Sequence, residues 1–147
     1  PYWDGGYMGN PALFPLFYGL DTRDILLVQI NPVTRKGAPT QIDDIQNRLN
    51  EITFNAPLLG ELRAVSFLNR LIDSGDLTNP RYRSVFMHRI ALSETLSGLD
   101  AGSKLQAKWD FFLALKKAGR RAARNWLTTH VGDVGRRGTL DLAEALA

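Results

Sequence analysis

The segment Tyr2-Trp3-Asp4-Gly5-Gly6 holds the residue types and spacing best suited to chemistry in this chain. Aromatic residues favour strands and Asp-Gly-Gly favours a turn, so Asp4 is expected at a sheet rim, ending a strand that begins upstream of Pro1. A carboxylate there can take a proton, and the two glycines let backbone or substrate approach closely. Asp-Gly-Gly is also ordinary hairpin chemistry, and the tripeptide alone does not separate the two readings.

Other chemistry-bearing residues are sparse. His88 lies in a mixed strand pattern, where a structural or surface role outweighs a catalytic one. His130 falls near a helix end, where it suits the negative pole of the dipole. Asp43 and Asp44 precede a helical run and suit its N-terminus; the spacing for a hard-cation site is incomplete. Lys117, Arg120, Arg121 and Arg124 share one arc of a helix, beside or opposite a stripe of Trp109, Phe112 and Trp126. That arc is either a solvated basic face or a membrane-surface element, to which Arg35 and Lys36 would add. There is no cysteine, which excludes disulfides, iron–sulfur ligation and thiol nucleophiles within these residues.

The elements that must position these groups follow from periodicity. Asn10-Pro11 is expected to start a short helix, with Asn10 as its cap and Ala12, Leu13, Leu16 and Phe17 as its apolar face. Ile25 to Ile30 is a nearly continuous apolar run, as in a strand covered on both faces within a parallel sheet. Two helical registers follow, Ile45, Leu49 and Ile52, then Leu59, Leu62, Val65 or Ser66, Asn69 and Ile72, with Pro57 separating or kinking them. Tyr82 to Ala91 reads as a second strand. A helix from about Ser103, its cap, to Thr129 carries the basic arc, and Gly132 to Ala147 reads as a turn followed by a short peripheral helix or a disordered tail.

The chain has 147 residues, 44% apolar and 22% charged, the profile of one core-forming domain or a large piece of a bigger one. Its net charge of +3 is uneven: residues 1–102 hold nine Lys/Arg against eleven Asp/Glu, and residues 103–147 nine against four. We therefore expect two regions, 1–102 and a basic helical region 103–147 packed on it. The basic excess is not accompanied by a nucleic-acid fold signature, so no nucleic-acid partner is expected. No apolar run is long enough to cross a bilayer, and no signal peptide opens the chain.

Asp4-Gly5-Gly6, three further residues, then Asn10-Pro11-Ala12 and the apolar strand Ile25 to Ile30, resembles the second catalytic block of the patatin-like phospholipases. Asn47 to Asn55 with Leu62-Arg63-Ala64, Met87-His88-Arg89-Ile90 and Lys104 to Phe112 are similar to the C-terminal region of a bacterial branch of that family. The resemblance covers nearly all of this chain but only the downstream part of the family's catalytic domain.

It implies a three-layer α/β/α fold, of which this chain would hold about two strands and long helices, and a lipid acyl hydrolase without a cofactor or metal. A serine in a GxSxG elbow would attack the acyl carbonyl, Asp4 would take its proton, and an upstream glycine-rich loop would bind the oxyanion. Gly5, Gly6 and Asn10 would support the motif. Such a base contributes roughly 10²- to 10⁴-fold, but a well-solvated Asp is a poor one, so its hydration must be limited. The chain departs from the pattern in two respects: it holds no glycine-rich oxyanion loop, and none of its six serines, Ser66, Ser74, Ser84, Ser93, Ser97 and Ser103, has the glycine framing of a nucleophile elbow. Alone it is expected to be inactive. Its expected partners are a lipid acyl ester, an anionic membrane surface and the missing N-terminal half of the same protein, whether that half is absent by truncation or supplied by a second chain. The location expected is cytoplasmic or peripheral to a membrane, with secretion left open by the unknown native start. The competing reading is a non-catalytic interaction or peripheral membrane module that retains the fold.

Overall fold

A computed structural model of the chain describes residues 1–35, 37–91 and 108–146. Among these, α1 (Phe14–Gly19) leads to β1 (Asp24–Gln29), α2 (Ile42–Asp73), β2 (Phe86–Ala91), α3 (Trp109–His130) and the short α4 (Leu142–Ala145). The strands pair in parallel, Ile25 opposite Met87 and Leu27 opposite Arg89. Parallel neighbours need a long crossover, and α2 supplies it.

The architecture is a mixed α/β one, with a helix on each face of β2. Met87 points one way, into a core with Leu13, Ile25, Leu27, Leu58, Leu62 and Val65. His88 points the other way, its ring meeting Trp126 of α3 edge-on at 5.5 Å. Alternation along the strand thus puts α2 and α3 on opposite sides.

Several expectations from periodicity change. The helix expected at Asn10-Pro11 begins three residues later, with Leu13 at the cap, so Asn10 caps nothing; the first turn instead takes Pro15, whose missing N–H would break a helix begun at Pro11. Tyr2 and Trp3 form no strand and stand exposed in coil, without a neighbouring strand to pair with among the described residues. The two registers around Pro57 belong to one helix. Leu58, Leu62 and Val65 bury on the sheet side while Asn55 donates to the Pro32 carbonyl at 2.8 Å, so tertiary contacts hold the helix across the proline.

Burial departs from the pattern too. Ile45, Leu49 and Ile52 face solvent, and the residues buried in that half of α2 are Glu51 and Asn55. Among the described residues β1 is covered on one face only: Leu26 and Val28, and Ile30 just beyond the strand, are 46%, 66% and 73% exposed, with α3 over β2. Trp109 and Phe112 of the expected stripe are exposed, whereas Trp126 is half-buried against His88. The cap expected at Ser103 lies outside the described residues; the helix described starts at Trp109.

The C-terminal segment has the expected turn and short helix, α4, and it is packed on the core. The N–H groups of Thr139 and Leu140 both donate to the Met87 carbonyl at 2.9 Å, and Leu140, Leu142 and Leu146 pack on the core. At Gly138 a Cβ would stand 3.1 Å from the Met87 carbonyl oxygen, so the chain's close approach to β2 depends on glycine there.

Candidate functional site

Asp4 sits at the N-terminus of a single 3-10 turn, Gly5–Tyr7. Its Oδ1 accepts the Gly6 N–H at 2.9 Å, the bond by which Asp commonly caps such a turn. Gly6 fits closely, since a Cβ would lie 3.3 Å from that oxygen and 3.6 Å from the Phe54 ring. Gly5 faces open space, and Asn10 is half-buried without capping a helix.

The turn is seated on α2. Tyr7 packs on Phe54 with ring centroids 5.4 Å apart, and Trp3 meets Tyr7 edge-on at 5.9 Å. The next residue of α2, Asn55, is buried and holds the Pro32 carbonyl in the loop leaving the carboxyl end of β1. Adjacent residues of one helix therefore bind the Asp4 turn and that loop. In open α/β sheets the carboxyl ends of the strands are where ligands bind.

The same loop has a second anchor. Arg35 grips buried Glu51 through two nitrogens, Nε at 2.9 Å to each carboxylate oxygen and one terminal nitrogen at 2.6 Å. Arg48 adds a bond to Glu51 at 3.3 Å and one to the Val33 carbonyl at 3.1 Å. Arg35 is thus neutralised within the fold and is not part of a free basic surface; Lys36 lies outside the described residues.

Asp4 itself is exposed. Ser66 lies within α2, Ser74 bonds the Leu71 carbonyl and Asp76, and Ser84 bonds Asp73. Among the described residues no hydrogen bond joins a serine to Asp4. Ser93, Ser97 and Ser103 lie outside the described residues.

A carboxylate, imidazole and hydroxyl do meet elsewhere, in a group that sequence spacing did not reveal. His88 Nε2 lies 3.0 Å from Asp24 Oδ1, and its Nδ1 lies 3.0 Å from Thr139 Oγ1. A carboxylate can only accept, so Nε2 carries the proton, and in the neutral ring Nδ1 accepts from the hydroxyl. Asp24 Oδ1 also accepts the Gly135 N–H at 2.8 Å. Burial raises the Asp24 pKa, but the Gly135 N–H and His88 outweigh it and hold the carboxyl below its ordinary range. With His88 only 1% exposed under Trp126, the ring has no route to substrate. The trio fastens the C-terminal segment across the two strands.

His130 ends α3 and pairs through Nδ1 with Asp133 at 3.3 Å, an acid that also binds Arg137 at 2.7 Å. Asp43 and Asp44 occupy the first turn of α2, where acids suit the helix dipole. Lys117, Arg120, Arg121 and Arg124 are exposed along α3 without an ion pair among the described residues. No helix among the described residues is long and apolar enough to cross a membrane. No family model, curated protein or solved structure matches the chain.

Proposed function

We propose that this chain is the downstream part of a patatin-like serine hydrolase acting on acyl esters of lipids, with Asp4 as the general base of a serine–aspartate dyad. The observation that carries the reading is the seating of the Asp4 turn and the loop from the carboxyl end of β1 on the adjacent residues Phe54 and Asn55. The uncovered apolar face of β1 is a second support, since further strands and a helix of a three-layer α/β/α domain would bury Leu26, Val28 and Ile30. The serine and the shielding that a base requires would come from that remainder.

In this mechanism the serine oxygen bonds to the acyl carbon as Asp4 takes its proton. Collapse of the tetrahedral intermediate breaks the ester bond, and Asp4 returns the proton to the departing alcohol. Water then attacks the acyl-serine, again losing its proton to Asp4, and the fatty acid leaves as the serine is reprotonated. No cofactor is needed.

The test is turnover of p-nitrophenyl acyl esters by the protein that carries this chain together with a glycine-framed serine. Asp4→Asn is expected to lower turnover by about 10²- to 10⁴-fold. Asn caps a turn as well as Asp does, so thermal stability should hardly change. Undiminished turnover would remove Asp4 from the role, and an encoded protein without a glycine-framed serine would remove the hydrolase.

The exposed basic residues of α3, without an ion pair among the described residues, favour a second reading, a peripheral module on an anionic membrane. Co-sedimentation with anionic vesicles that is insensitive to replacing Lys117, Arg120, Arg121 and Arg124 by Gln would dismiss it.

A further inference from the structure

The pairing of β1 with β2 fixes which way each backbone group of β2 points. The Phe86 N–H gives to the Arg23 carbonyl at 2.7 Å, and in a parallel ladder successive residues turn alternately to the partner strand and away from it. Phe86, His88 and Ile90 therefore face β1, whereas Met87, Arg89 and Ala91 face outward. The Met87 carbonyl is taken by Thr139 and Leu140, so the C-terminal segment closes the edge at that point. Among the described residues no hydrogen bond reaches the outward N–H and C=O of Arg89 or the outward N–H of Ala91.

This open stretch lines a groove of about 300 Å³ whose far wall is α3. Strand alternation sends the Arg89 side chain to the α2 side with Met87, so Arg89 lines the groove with its backbone. On the α3 side Ile90, Ala118 and Ala122 make an apolar wall, with exposed Arg121 beside them. The Arg89 side chain is exposed on the other side, and neither arginine makes an ion pair among the described residues.

We propose that the groove takes an extended peptide segment of another protein, which pairs with Arg89 and Ala91 as a further strand and alternates acidic with small apolar residues. An extended backbone supplies both the donors and the acceptors that an open edge lacks. Alternation gives the added strand two faces. One lies against Ala118 and Ala122, whose small side chains leave space for apolar ones opposite. The other lies beside Arg89, where an opposite charge across the strands is favourable, and Arg121 adds to the preference for acid. A lipid headgroup has no row of backbone groups to offer this edge, which favours a peptide over a membrane surface here. The site stands apart from the hydrolase reading, because none of the Asp4 turn lines the groove.

The probe is a short acetylated peptide alternating glutamate and valine, titrated into the protein while the amide signals of Arg89 and Ala91 are followed by NMR. Saturable shifts at both amides, with slowed hydrogen exchange at each, are expected. The same peptide N-methylated throughout should not bind, and lysine in place of glutamate should weaken it strongly. Arg89→Gln combined with Arg121→Gln should weaken binding about tenfold. Lys116→Gln, on the far side of α3 from Ala118, should leave it unchanged. Both arginines are exposed, and unchanged melting temperatures would show that the folds are intact. Equal binding of the N-methylated or lysine peptide would overturn the proposal. So would shifts confined to Leu26 and Val28, whose N–H groups point to the outer edge of β1. Adsorption to phosphatidylglycerol vesicles without any peptide-induced shift would overturn it in favour of a membrane surface.

Discussion

His88 Nε2 lies 3.0 Å from Asp24 Oδ1 across the parallel strand pair, although 64 residues separate them in the chain. Asp24 also takes the Gly135 N–H, and His88 also meets Thr139, so this one contact ties β1, β2 and the C-terminal segment together.

Removing the carboxylate should therefore loosen a segment far from it in sequence. Asp24→Ala leaves buried His88 without its acceptor and Gly135 without its partner. We expect a loss of about 1–3 kcal/mol in urea unfolding. Amide exchange should accelerate at Gly135, Thr139 and Leu140 before it does in α2. Equal acceleration throughout would show that Asp24 contributes to global stability without fastening that segment in particular.

The same contact sets a direction for pH. Burial raises the Asp24 pKa, but the Gly135 N–H and His88 bring it below the ordinary value of about 4. Between the folded and unfolded values, the unfolded chain binds a proton that the folded chain does not. The contribution is thus fully present above about pH 4 and is lost as pH falls through the folded value. Asp133, lowered by Arg137 and His130, has the same sign. Acid titration followed by Trp126 fluorescence should show the segment releasing below pH ~4, with a shallower dependence in Asp24→Asn. An identical slope in that variant would assign the transition to other carboxylates.

Gly138 tests the closeness of that docking. An added Cβ would meet the Met87 carbonyl oxygen at 3.1 Å and its nitrogen at 3.2 Å, and this backbone is held by the sheet and by Thr139 and Leu140. Gly138→Ala should cost about 1–3 kcal/mol. Gly132→Ala, where a Cβ meets nothing, should stay within about 0.5 kcal/mol. Thermal melts of the two variants compare them directly.

What the sequence conveyed was local. The strand at Ile25 to Ile30 was legible because a compact run of branched residues between Asp24 and Asn31-Pro32 has few other uses, and the structure shifts it by one residue. The Asp4 turn was legible because Asp, Gly and Gly bond within three positions. Its seat on Phe54 was not, since that contact spans the chain. Pro57 does not separate the two registers, because the packing of Leu58, Leu62 and Val65 holds one continuous helix across a single missing N–H. Ile45, Leu49 and Ile52 misled: a helical stripe shows which residues share a face but not whether anything covers it.

That half of α2 holds its position through charge, which reverses the usual expectation for its variants. Glu51 is 9% exposed between Arg35 and Arg48, whereas Ile45, Leu49 and Ile52 on the same helix are at least 41% exposed. Glu51→Ala would leave two guanidinium groups together without their counter-charge and free the loop after β1. Both arginines retain some contact with water, so the expected loss is about 1–3 kcal/mol, below that of a fully buried pair. Arg35→Ala should cost less, because Arg48 still meets Glu51 and still holds the Val33 carbonyl. Leu49→Gln should change urea stability by no more than about 0.5 kcal/mol. If Leu49→Gln proved the costlier change, the apolar stripe would be buried in solution, and the helix would owe its place to that face and not to the Glu51 cluster.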